Sequence, residues 1–116
     1  MTLIWVFRIK NLIKLYINGL QMVSLEDENK IAFVTCIEVA LMRRGNANYN
    51  LVIAKLKAQF GCGMDESIDH PEYLKDILKK VYKNDYDTVL DEINEESEKL
   101  TDIDTIKANF FKTMKS

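Results

Sequence analysis

The side chains able to do chemistry are few and scattered. His70 is the only histidine, and Cys36 and Cys62 are the only thiols. One histidine rules out a multi-histidine metal site, and two isolated cysteines beside it lack zinc-ligand spacing. Cys62 sits in Gly61-Cys62-Gly63, where small neighbours would bare its sulfur. A thiolate–imidazole pair of Cys62 with His70 is the one nucleophilic arrangement to weigh. Against it, His70 adjoins Pro71 at the start of an apolar helical pattern, where capping is the simpler role. The glycines do not form a phosphate loop, because no Gly-x-x-x-x-Gly-Lys-Ser/Thr follows. Asp65, Glu66 and Asp69 could draw a cation, but they lack the alternating twelve-residue pattern of a calcium loop. A solvated acidic loop is the expectation. No catalytic residue, metal ligand or cofactor site is therefore assigned, and the protein reads as a non-enzyme.

The elements that would position any site are helices. The chain has 116 residues, 47% of them hydrophobic and 29% charged, with four glycines and one proline. That suits one domain with one core, and an all-β domain would need more turn residues. We expect an all-α single domain, a small bundle of five to six helices. Ser24 reads as an N-cap, followed by a helix over about 25–44. Ile31, Phe33, Val34, Ile37, Ala40 and Leu41 pass around much of that helix, which marks it as central. Gly45 is the expected left-handed stop, and Asn46 or Asn48 the cap of the next helix. That helix carries Tyr49, Val52, Ile53, Leu56 and Phe60 at helical steps, and Gly61 ends it. Residues 61–69 are the clearest loop.

Asp69 or His70 then caps a helix that has Pro71 in its first turn. Tyr73, Leu74, Ile77, Leu78 and Val81 form its apolar face. Asn84 ends it, and Asp85 caps a helix through Tyr86, Val89, Leu90 and Ile93. A break near 99–102 precedes a helix over 102–115. Leu100, Ile103, Ile106, Phe110 and Met114 keep an apolar stripe going past the compact pattern, so residues 94–116 are expected to protrude. An exposed stripe of that size needs a cover, which makes these five residues the candidate partner-binding surface.

The formal charge of −2 is uneven. Residues 1–21 carry Arg8, Lys10 and Lys14 and no acid, which leaves 13 bases against all 18 acids in residues 22–116. The acidic body argues against broad phosphate-backbone binding, and Arg43-Arg44 is a small patch. On a helical wheel Trp5, Ile9, Leu12, Ile13, Tyr16 and Leu20 share a face in the basic segment. It reads as an amphipathic helix, packed on the core or on another copy, or lying on a membrane surface. Met22 before Val23-Ser24 offers a second reading, in which residues 1–21 are a misassigned start. No run is long and apolar enough to span a bilayer. Two unpatterned cysteines suit reduced thiols in the cytoplasm.

Ala40-Leu41-Met42-Arg43-Arg44-Gly45, Tyr49, Leu56, His70-Pro71-Glu72-Tyr73-Leu74 and Asp85-Tyr86 through Ile93 carry a family likeness. Residues about 40–93 resemble the Nitrosopumilus-type archaeal output domain family. The resemblance implies a signal-output or interaction module without chemistry of its own. The expected function is a non-enzymatic module that buries an apolar helix face against a protein partner, including a second copy of itself. A nucleic-acid-binding regulator and a peripheral membrane protein held by residues 1–21 are the alternatives.

Overall fold

A computed structural model describes residues 25–116, and these are mostly helical, with no strand among the described residues. Residues 1–24, with the amphipathic segment and the Ser24 cap, lie outside the described residues. The elements are α1 (Leu25–Arg44), α2 (Asn46–Phe60), α3 (Pro71–Tyr82), α4 (Tyr86–Ser97) and α5 (Asp104–Lys115). Short 3-10 turns at Glu66–Ile68 and Lys83–Asp85 fill the connections before α3 and α4.

Helix α1 is the centre. It buries Ala32, Phe33, Cys36, Ile37, Ala40 and Leu41, more than half of its circumference, because α2 and α4 both pack against it. Helix α3 lies between α2 and α5, and turns Leu74, Ile77 and Leu78 fully inward. Its start follows the sequence logic: Pro71 occupies the first turn and His70 the cap position. The cap is made by backbone, with the Tyr73 N–H donating to the His70 carbonyl at 2.9 Å.

Two helix boundaries are built differently from expectation. Gly45 is extended, at φ 160 and ψ 127, and is not a left-handed stop. Its N–H donates to Leu41 O at 3.1 Å and its carbonyl accepts from Tyr49 N–H at 3.2 Å. One residue thus closes α1 and opens α2, which leaves no capping task for Asn46 or Asn48. The left-handed stop falls at Gly61, φ 65, whose N–H reaches Lys57 O at 3.0 Å. At the end of α3, Lys83 takes φ 50, a conformation that costs a non-glycine residue about 1–3 kcal/mol.

The largest correction concerns the C-terminal stripe. Residues 94–116 do not protrude. The chain turns at Asp102, φ 62, whose carbonyl accepts from Asn29 Nδ2 at 3.2 Å. Helix α5 then lies back on α3. Ile103, Phe110 and Met114 are at most 2% exposed, and Leu100 and Ile106 pack half-buried against the same core. Phe110 meets Phe33 edge-on at 5.1 Å. Tyr86 Oη donates to the Met114 carbonyl at 2.8 Å, which ties α4 to α5. The stripe is long because it is part of the core, and only Leu100 and Ile106 keep part of their surface exposed.

Candidate functional site

None of the groups weighed for chemistry converge. His70 is half-exposed, stacks on Tyr73 with ring centroids 4.9 Å apart, and has Glu72 Oε1 3.6 Å from Nδ1. Tyr73 in turn stacks on Phe60 at 4.3 Å. The imidazole is thus the outer ring of an aromatic pile. Cys62 is buried despite its glycines. Burial, and after it the charges of Glu66 and Asp65, push its thiol up, whereas a nucleophilic cysteine needs the opposite shift. Cys36 and Cys62 are both free thiols. Asp69 pairs with Lys30 at 3.0 Å, and no group of three or more potential metal ligands occurs among the described residues.

Polar density collects instead where α1 meets α4. Glu96 is 3% exposed, yet its carboxylate receives Arg43 at 3.3 Å and Lys99 at 2.7 Å. The Cys36 thiol donates to the Glu96 carbonyl at 3.7 Å. Burial and then the Glu96 charge push that thiol up to about 12, so it stays protonated. One turn away, Arg44 pairs with Glu92 and, at 3.2 Å, with Asp85. Both arginines of the suspected basic patch are therefore engaged with carboxylates. Glu38 receives the Tyr49 hydroxyl, which joins α1 to α2, and burial together with that bond pushes Tyr49 up to about 12. These pairs fix how the helices sit on one another. A cleft of about 250 Å³ lies over them, but the Glu96 carboxylate in it is already paired with Arg43 and Lys99, so they have the character of a structural seam.

The feature that sequence reasoning missed lies on α2. Val52 and Leu56 point into the core. Ala47, Leu51, Ala54 and Ala58 lie opposite, and all four are exposed. Leu51, at 42%, is the most exposed large hydrophobic residue among those described. Their spacing of four, three and four residues makes a straight seam along the helix. Lys55 and Lys57 flank it in the C-terminal half, while Asn46, Asn48 and Asn50 flank it in the N-terminal half. The signal was in the sequence as a second apolar stripe in α2, but the larger side chains of the core stripe masked it.

No helix among the described residues is long and apolar enough to cross a membrane. No family model, curated protein or solved structure matches the chain.

Proposed function

We propose that the protein is a non-enzymatic interaction module that pairs with a second copy of itself through the outer face of α2. The observation that carries this reading is Leu51 standing exposed in a row with Ala47, Ala54 and Ala58. Small side chains allow two helix axes to approach to about 8 Å, at the close end of helix packing. Charge sets the direction. In a parallel pair, Lys55 and Lys57 of one copy would face the same lysines of the other. In an antiparallel pair they face the asparagines, and the helix dipoles oppose one another favourably. An antiparallel pair is also the closed, two-fold form that dimers commonly take.

The resemblance of residues about 40–93 to archaeal output domains points the same way, towards a module that signals by contact. The reading includes a bundle of five to six helices and a cytoplasmic setting, which the two free thiols suit. Nucleic-acid binding is the alternative from another class. The pairing of Arg43 and Arg44 with carboxylates weakens it. Membrane attachment through residues 1–21 rests on the segment outside the described residues.

Light scattering during size-exclusion chromatography tests the proposal. The expected result is a dimer that Ala54→Glu converts to monomer with an unchanged circular dichroism spectrum, and that Leu51→Ala weakens. A wild-type mass that stays monomeric at about 100 μM, ten-thousand-fold above a 10 nM dimer constant, would overturn it.

A further inference from the structure

A cleft of about 610 Å³ opens between α1, the start of α3 and α5. Ile68, Pro71, Ile106 and Phe110 give it an apolar floor. One wall is a stripe of α5 made of Thr105, Asn109 and Lys112, spaced by four and three residues. All three are exposed, and their side chains make no hydrogen bond or ion pair among the described residues. The opposite wall carries Lys30, bound to Asp69 at 3.0 Å, so the cleft's one side-chain carboxylate is already neutralised. Ser116 closes one end, where the Lys75 ammonium donates to its main-chain oxygen at 2.6 Å. The N-terminus of α3 lies at the rim, and the positive end of a helix dipole favours an anion there.

A half-open cleft of this size, with an apolar floor and a few unspent polar groups on one side, can seat a small molecule by one face. We propose that it binds a small monocarboxylate with an apolar body. The Lys112 ammonium and the Asn109 amide meet the carboxylate, with the Thr105 hydroxyl within the same stripe. The body lies on Ile68, Pro71 and Ile106. A neutral ligand would gain nothing from the Lys112 charge, and a cation would meet no free side-chain carboxylate. The other large cleft, about 710 Å³ near Lys79 and Lys83, sets Asp87 and Asp91 among its lysines and suits an anion less well. This inference is independent of the α2 pairing.

The test is a titration of the full chain with 2-naphthoate, followed by amide proton–nitrogen correlation spectra, with uncharged 2-naphthamide in parallel. The expected shifts saturate and centre on residues 68–71 and 105–113. The amide should bind about tenfold more weakly than the acid, the scale of one charge-assisted hydrogen bond. Lys112→Gln, an exposed change that leaves the fold alone, should remove that difference, while Lys83→Gln should not. Equal binding of acid and amide would overturn the proposal. So would shifts centred on Tyr86 and Leu90, or no saturable shift up to about 10 mM, where even millimolar binding would show.

Discussion

Phe110→Ala tests whether α5 belongs to the core. Phe110 is 1% exposed and meets Phe33, which is fully buried, edge-on at 5.1 Å. Truncation removes the buried ring and leaves a cavity, at a cost of about 3–5 kcal/mol. Roughly 0.5–1.5 kcal/mol of that belongs to the lost aromatic pair. A chain of 116 residues has a total stability of about 6–17 kcal/mol at the usual value per residue. The variant should therefore fold, with a much earlier transition. With a urea slope of about 2 kcal/mol per molar, the midpoint should fall by about 2 M. Urea unfolding followed by circular dichroism measures this directly. Lys112→Ala, on the exposed side of the same helix, should stay within about 0.5 kcal/mol of wild type. If Phe110→Ala also stayed within 0.5 kcal/mol at unchanged slope, α5 would not be packed as described, and the protruding-stripe expectation would return.

Alkaline pH should destabilise the fold. Burial first, helped by Glu96, pushes Cys36 to about 12, and burial holds Tyr49 and Tyr86 at about 12 as well. In the unfolded chain these groups ionise near their ordinary values of about 8.5 and 10. A raised folded pKa gives stability that is complete below the unfolded value and lost as pH climbs towards the folded one. Urea midpoints should thus drop from about pH 9 to 12, with a shallower slope in Cys36→Ala. A flat profile over that range would contradict the burial of these groups. Gly61→Ala should cost about 1–2 kcal/mol from backbone alone, because φ is +65 and a new Cβ would meet nothing within 4 Å. A neutral result in thermal unfolding would show that α2 ends some other way.

What the sequence made legible was local. The Gly61 stop and the Pro71 start follow from residues with strong backbone preferences, and the break before α5 from an apolar stripe that thins near Ser97. The turn conformations at Lys83 and Asp102 carried no such mark, because neither residue is glycine. Periodicity found Ile103, Phe110 and Met114 on one face, but a stripe does not say what covers it. That depends on how sharply the chain folds back at Asp102, a tertiary fact. The burial of Glu96 was illegible for a related reason. It stood in an acid run that looked solvated, and only the approach of α1 brings Arg43 to it.

The burial of the C-terminal stripe leaves the interaction reading resting on α2, where the rival explanation is propensity. Alanine is the best helix former, so an alanine row on an exposed face could serve the helix alone. Two observations weigh against that. The outward faces of the neighbouring helices are dense with charge: Glu72, Asp76, Lys79 and Lys80 on α3, and Asp87, Asp91 and Glu95 on α4. The lysines and glutamates among them are nearly as good helix formers as alanine, and all of them keep a surface in water. Helix α2 uses none of them at Ala47, Leu51, Ala54 and Ala58. Propensity also gives no reason to leave Leu51 42% exposed in the middle of the row, where lysine or glutamate would form helix almost equally well. A face kept free of charge over three turns, with its one large apolar side chain near the centre, has the pattern of a contact seam.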